Sequence, residues 1–298
     1  MRFLDADAVA ALGPAAAVRA VTDALRGEVD PAADPPRVSV GLSRGQFLLM
    51  PSEVPAAAGV KVVTVAPGNP ARGLPRIQAA YLLFDRETLA LRAVLDGTAL
   101  TTLRTPAVSV AAVLDRLPDR PLRVAVVGAG PQATGHVATL AAVRPLEDVT
   151  YLVRDPSRTP LDAVELGSPR ADEALRAADV VVCATSARSP VFDSALLRDA
   201  VVVVAVGSHE PDARELDAAL LGRATVVVED VATALREAGD VVLAITEGAL
   251  TAVDLVPVRD VLTGAVAVPA DRPLVFKSVG MSWQDLVVAA AVVARSAG

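Results

Sequence analysis

Two groups of residues in this chain have types and spacings that could do chemistry. The first is Gly128-Ala129-Gly130-Pro131-Gln132, entered from the apolar run Val124–Val127 and followed by helix-forming residues. Gly128 can take a tight turn out of a strand, Gly130 lets backbone approach a pyrophosphate, and Ala133 allows the next helix to pack closely on that strand. The N–H groups and dipole of the helix would face the phosphates. The glycine pattern alone is weak. Its strand–turn–helix setting, with a repeated α/β rhythm downstream, turns it towards a dinucleotide. The second group is positive charge in apolar surroundings. Lys61 lies within Gly59-Val-Lys-Val-Val63, Arg37 begins a strand, and Arg104 interrupts an apolar helix. Such a cation either snorkels to water or meets an anion. Three of them in one small domain point to a carboxylate-binding pocket, in which arginine gives bidentate contacts and lysine a point charge that can also donate a proton. Of the 28 basic residues only Lys61 and Lys277 are lysines, which marks both as places where a compact ammonium has a use.

The elements that must position these residues fall into two rhythms. Asp5 caps a helix that runs to about Leu25 and is broken at Gly13-Pro14. Arg37–Leu42 and Gln46–Met50, joined at Ser43-Arg-Gly45, read as a hairpin, and strands follow at 59–65, 77–84 and 89–95. The gaps between them are too short for crossover helices, so this half is a mainly antiparallel sheet. A helix from Gly97 to about Leu117 should kink or restart at Pro106. From Leu122 onward, Val-rich runs at 124–127, 149–153, 180–184, 201–206, 225–228 and 274–277 alternate with helical stretches. That is the pattern of a parallel sheet covered on both faces. A last helix, Trp283–Ser296, is expected to pack back on the first half. The expected division is residues 1–117, a glycine-loop domain at 118–280, and the returning helix at 281–298.

Composition excludes several function classes. Lys+Arg is 28 against Asp+Glu 35, a net charge of −7, which argues against nucleic-acid and anionic-membrane partners. The longest apolar runs fall short of the ~20 residues that span a bilayer. Acidic residues at the start occupy the place of a secretion signal's apolar core, so a soluble cytoplasmic protein is expected. One cysteine, Cys183, rules out an internal disulfide and a cysteine metal cluster, and two histidines are too few for a histidine-based metal site. Cys183 reads as a buried strand residue, Trp283 as an anchor for the last helix, and Lys277 as meeting either cofactor or backbone carbonyls. Glu229 and Asp240 read as surface or capping positions.

Together these motifs resemble the ornithine cyclodeaminase/mu-crystallin family. Arg37, Met50-Pro51, Lys61, Leu95-Asp-Gly97, Leu100-Thr101 and Arg104-Thr105 carry the resemblance in the first half. Gly128–Gln132, Ala184-Thr185 with Pro190, Gly207–Leu216 and Lys277–Gly280 continue it in order. The resemblance implies an α/β fold: a Rossmann-type doubly wound parallel sheet plus a mainly antiparallel α+β substrate and dimerisation domain. It implies a homodimer and a reaction at a nicotinamide in the cleft between the domains. It assigns Arg37, Lys61 and Arg104 to the substrate carboxylate and Met50 to the lining of the site. Cofactor contacts fall to Thr101, Gly128, Ala129, Gly130, Pro131, Gln132, Thr185, Gly207 and Ser278.

Two departures narrow the chemistry. Cyclodeaminases carry an aspartate where this chain has His209, and a glutamate two residues before the methionine, where this chain has Leu48. The pattern is closer to ketimine and imino-acid reductases, which reduce a small, cyclic 2-imino acid of the Δ1-pyrroline-2-carboxylate or Δ1-piperideine-2-carboxylate type. Rival readings are an alanine dehydrogenase-like enzyme, a cyclodeaminase, and a crystallin-like binding protein with little chemistry. His209 either orients or protonates a substrate nitrogen, since its ordinary pKa lies near neutrality, or touches the nicotinamide ribose. At the tip of the second strand of the glycine-loop domain, Arg154 and Arg158 favour the 2′-phosphate of NADP(H). An inward-turned Asp155 would instead mean NAD(H).

Overall fold

The computed structural model of the protein describes residues 1–55 and 57–296. In chain order it begins with β1 (Arg2–Leu4), α1 (Ala6–Ala10) and α2 (Pro14–Arg26). A run of strands follows: β2 (Val38–Leu42), β3 (Gly45–Val54), β4 (Ala57–Val65), β5 (Ile77–Phe84) and β6 (Leu91–Asp96), leading to α3 (Gly97–Val113). The alternating part comprises β7 (Leu122–Val127), α4 (Pro131–Ala141), β8 (Leu146–Val153), β9 (Ala163–Glu165), α5 (Pro169–Ala177), β10 (Val180–Cys183) and β11 (Val202–Ala205). It continues through α6 (Ala218–Arg223), β12 (Thr225–Val228), α7 (Val231–Glu237), α8 (Gly239–Thr246), β13 (Leu255–Pro257), α9 (Val258–Leu262) and β14 (Leu274–Lys277). The helix α10 (Ser282–Arg295) closes the described chain. Two compact units result, one of Met1–Val108 with Met281–Gly298 and one of Ser109–Gly280. The division falls inside α3, about two turns before the Pro-flanked segment 118–121. No helix of the described residues is long and apolar enough to cross a membrane.

The first unit is built on a six-stranded sheet in the order β1-β6-β5-β4-β3-β2. All its pairings are antiparallel except that of β1 with β6. Asp5 caps α1 by accepting from Ala8 N at 3.0 Å, and Gly13-Pro14 separates α1 from α2, as the sequence predicts. Pro106, in contrast, neither ends α3 nor starts a new helix. Burial of Ala107, Val108 and residues 110–113 holds the helix together across the missing backbone donor. The parity of β4 sets the layers: Ala57, Gly59, Lys61 and Val63 are buried, while the alternate residues are only partly covered. α10 packs on β3, β4 and β5 and against α2. Its first two turns, residues 282–289, are buried on every side.

The second unit is an eight-stranded, all-parallel sheet in the order β13-β12-β14-β11-β10-β7-β8-β9. The Val runs of β10 and β11 are fully buried, as strands covered on both faces require. The chain leaves β7 outward to β8 and β9, then returns to β10 on the other side, so the strand order reverses at β7. The short strands β1, β9 and β13 escape sequence reading because three-residue segments carry no periodicity.

One loop of the first unit stabilises α10 in a pH-dependent way. Asp34, after a short 3-10 turn, accepts from Trp283 N at 3.0 Å and from the Ser52 hydroxyl at 2.6 Å, supplying the cap that α10's own N-terminus lacks. Burial pushes its pKa up from 3.8 to about 6, against these hydrogen bonds, and neighbouring Asp285 adds to the rise. A raised folded-state pKa contributes stability that is present below the unfolded value and is lost as pH rises through the folded value. The parent should therefore lose stability relative to Asp34→Asn between pH 3.8 and about 6, read from urea midpoints in paired titrations. A pH-independent difference between the two proteins would refute the assignment.

Candidate functional site

In the first unit, the sheet register brings together two of the predicted cations, Arg37 and Lys61. Met50 pairs with Lys61, Lys61 with Tyr81, and Tyr81 with Leu95, so the four form one row across the sheet. Directly opposite partners share a face, and this is the face that α10 covers. Val38 pairs with Leu49, and extending that register by one residue puts Arg37 beside Met50. Leu48 pairs with Val63 and lies on the same face, two residues from Met50. Lys61 and Arg104 are both buried.

Asp285, which sequence reading passed over, is what meets them. Lys61 Nζ donates to Asp285 Oδ2 at 2.8 Å and to Thr101 Oγ1 at 3.4 Å. Arg104 Nε donates to Asp285 Oδ1 at 3.2 Å, and Arg104 Nη1 donates to Gln284 Oε1. Gln284 and Asp285 are 0% exposed, so without polar partners each would carry a large desolvation penalty. A polar pair within an otherwise buried helix start was the only sequence signal for them. Burial pushes Lys61 down from 10.5 to about 8, with Arg104 and Arg37 adding to the fall and Asp285 opposing it. Tyr81 is buried beside this charge, and its hydroxyl is held well above its ordinary range, so it stays neutral. Thr101, predicted as a cofactor contact, lies in this unit; its hydroxyl donates to Gly97 O at 2.7 Å.

In the second unit, the glycine loop leaves the carboxyl end of β7, where the strand order reverses. In open α/β sheets that is where ligands bind. Gly128 has φ 118°, and a Cβ there would come within 2.6 Å of Ala184 O, so backbone and space both demand glycine. A Cβ on Gly130 would meet nothing within 4 Å. Gly130 is the N-cap of α4 and no side chain caps that helix. An open approach to a helix N-terminus fits the pyrophosphate of a dinucleotide. Ala129, Pro131 and Gln132 complete this turn. Arg154 and Arg158, past the end of β8, are exposed. Asp155 Oδ1 between them accepts from Ser157 N at 3.0 Å and from its hydroxyl at 2.6 Å, which caps a 3-10 turn and lowers the Asp155 pKa.

The other predicted contacts of this unit lie at the ends of β10, β11 and β14, tied together by buried acids. Glu215 accepts from Thr185 N at 2.8 Å and Thr185 Oγ1 at 2.7 Å, and from Gly207 N at 2.7 Å. Lys277 donates to Ser208 O at 2.7 Å and pairs with Asp240 at 2.8 Å. Asp240 in turn accepts from Glu215 N and Leu216 N, both at 2.8 Å. Glu229 accepts from Ser278 Oγ at 2.7 Å and Val279 N at 2.9 Å. Glu229 and Asp240 are thus buried anchors, not surface positions, and Lys277 is a structural cation. Sequence reading missed this because their partners are mostly backbone groups remote in the chain. His209 is exposed on the loop after Gly207, beside the surface pairs of Arg188 with Glu210 and Asp212. Cys183 is buried, and burial pushes its thiol well above its ordinary range. Among the described residues no acid, histidine or cysteine cluster could hold a metal ion.

Comparison with known proteins adds relatives to this geometry. The model of the ornithine cyclodeaminase/mu-crystallin family matches residues 10–298. Delta(1)-pyrroline-2-carboxylate reductase 2 of Burkholderia ambifaria is 36% identical, over 85% of this chain and 81% of the relative. The Delta(1)-pyrroline-2-carboxylate/Delta(1)-piperideine-2-carboxylate reductase of Azospirillum brasilense is also 36% identical, over 94% of this chain and 91% of the relative. The solved structure of Thermococcus litoralis Delta(1)-pyrroline-2-carboxylate reductase, in complex with NADH and L-proline, superposes with a TM-score of 0.86 at 25% identity. It covers 100% of this chain and 98% of that one.

Proposed function

The chain belongs to the ornithine cyclodeaminase/mu-crystallin family, and we propose that it is a nicotinamide-dependent reductase of the C=N bond in a small, cyclic 2-imino acid. The substrate class is that of Δ1-pyrroline-2-carboxylate and Δ1-piperideine-2-carboxylate. The observation that carries this reading is the charge on the α10-facing side of the first sheet. Two cations, Lys61 and Arg104, are buried there against one fully buried carboxylate, Asp285, so the pair keeps positive charge for a carboxylate from outside, and Arg37 lies close enough to act on Lys61.

The bound nicotinamide supplies the hydride. The chain's own work is to bind, aim and handle one proton. Arg37, Lys61 and Arg104 hold the substrate carboxylate, and holding it in one pose supplies much of the rate. Lys61, with a pKa near 8, is protonated at neutral pH yet can release its proton readily, as a donor to the imine nitrogen should. Met50 and Leu48 offer apolar surface on the same face. Leu48 and His209 stand where ring-closing deamination would want carboxylates, which disfavours that reaction. His209 orients the substrate nitrogen or contacts the nicotinamide ribose.

The cofactor reading favours NADP(H). One oxygen of Asp155 is spent on capping its own turn, where it also takes the Ser157 hydroxyl, while Arg154 and Arg158 offer two charges to a 2′-phosphate. The protein is also read as a homodimer. On the sheet face turned away from Lys61, Val38, Val40, Phe47, Leu49, Val60, Val62, Leu82 and Val94 form a contiguous apolar surface that is only partly covered in one chain. A second copy of the same face is its best complement.

NAD(P)H oxidation should be strong with five- or six-membered cyclic 2-imino acids and weak with pyruvate plus ammonia; the reverse would make the enzyme an amino-acid dehydrogenase. Arg104→Ala should raise KM for the imino acid roughly 30-fold and leave cofactor affinity nearly unchanged; an unchanged KM sinks the clamp. Arg154→Ala and Arg158→Ala should each raise KM for NADPH about tenfold and spare NADH, so equal effects on both would assign the arginines to solvent. Sedimentation should find a dimer in the parent and a folded monomer in Val62→Glu, whereas a monomeric parent would remove the dimer reading.

A further inference from the structure

The clamp cations do not stand alone, and their common partner is not part of the sheet or of α3. Asp285 presents one oxygen to each cation: Oδ2 to Lys61 Nζ at 2.8 Å and Oδ1 to Arg104 Nε at 3.2 Å. Gln284, its neighbour on α10, takes Arg104 Nη1. Thr101 takes a further Lys61 proton at 3.4 Å. Each cation is thereby held by two partners of fixed geometry. We propose that Asp285 is the positioning residue of the reaction, fixing both the aim of Lys61 and Arg104 and the charge on Lys61. The inference rests on the reductase reading and deepens it: the substrate carboxylate meets a pair of cations already joined through an internal carboxylate.

The electrostatics agree with the geometry. Lys61 is faced by Asp285 from α10, by Arg104 from α3, by Arg37 ahead of β2 and by neutral Tyr81 from β5. Desolvation, Arg104 and Arg37 all push its proton off, and Asp285 alone of these groups retains it. Asp34 interacts with Asp285 and titrates near 6, so it shapes the acid side of any pH profile and leaves the basic side to Lys61. A buried salt-bridge partner of this kind typically moves a neighbouring pKa by about one to three units.

The test compares Asp285→Asn and Asp285→Glu in the full-length, cofactor-loaded enzyme. In the parent, kcat/KM for the imino acid should fall as pH rises through about 8. Asp285→Asn keeps one acceptor but loses the charge, and should move that fall about one pH unit or more to lower pH. Asp285→Glu keeps the charge but displaces it by a methylene, and should leave the fall in place while KM rises. NADPH affinity, followed by fluorescence, should be constant throughout. A purely structural aspartate would lower yield and melting temperature without moving the pH midpoint. An unmoved midpoint in Asp285→Asn, or a midpoint displaced equally in Asp285→Glu, overturns the proposal. If Asp285→Asn does not fold, Asp285→Glu decides: raised KM at the parent's midpoint supports the proposal, and parental KM or a displaced midpoint overturns it. The same profiles taken on the affinity for pyrrole-2-carboxylate, a planar carboxylate that needs no turnover, read Asp285 even if no imino acid is reduced. Absence of turnover would then refute the reductase reading alone.

Discussion

Two positive charges, Lys61 on the first sheet and Arg104 on α3, lie buried together, and a single carboxylate makes that arrangement tolerable. An isolated ammonium in such surroundings would shed its proton, and an isolated guanidinium, which keeps its own, would pull in water. With Asp285 between them, Lys61 and Arg104 remain as an ordered pair, fixed to α10 rather than to each other. The interaction is weak evidence for stability, because buried ion pairs repay little of their desolvation. Its value lies in geometry. β3, β4 and β5 pack against the helix that carries that carboxylate, and Asp34 caps its first turn.

The second unit solves a parallel problem with the same chemistry. Its lysine, Lys277, also ends opposite a fully buried aspartate from a helix, Asp240, and its second partner is a backbone carbonyl. Glu215 and Glu229 do similar work by accepting backbone and hydroxyl donors at the strand ends. The carboxyl edge of the parallel sheet is thus braced by acids whose hydrogen bonds stiffen the loops around Thr185, Gly207 and Ser278. A cofactor site needs such pre-set loops, since ordering them on binding would subtract from affinity.

Much of this was legible in the sequence, for reasons that particular residues make clear. The parallel sheet announced itself through Val runs such as 180–182, because burial on both faces leaves no alternation to disguise them. The clamp cations were visible because charge in an apolar strand is conspicuous. Asp285 was not, since a lone acid near a helix start reads as an ordinary first-turn residue. Only the fold shows that α10 buries it, 224 positions along the chain from Lys61. Asp240 and Glu229 were hidden in the same way, their partners being main-chain groups that no pattern marks. Pro106 misled because its local preference was overruled by the burial of the residues after it.

The placement of α10 has a consequence for how the protein comes into being. Asp285 leaves the ribosome after the whole of the second unit, so during synthesis Lys61 and Arg104 wait without their counter-ion while a separate parallel sheet is completed. The contacts that finish the first unit span 181 and 224 positions, and such long closures are entropically expensive and slow. The nascent first sheet therefore passes through a period with one apolar face lacking its helix and two cations lacking their anion.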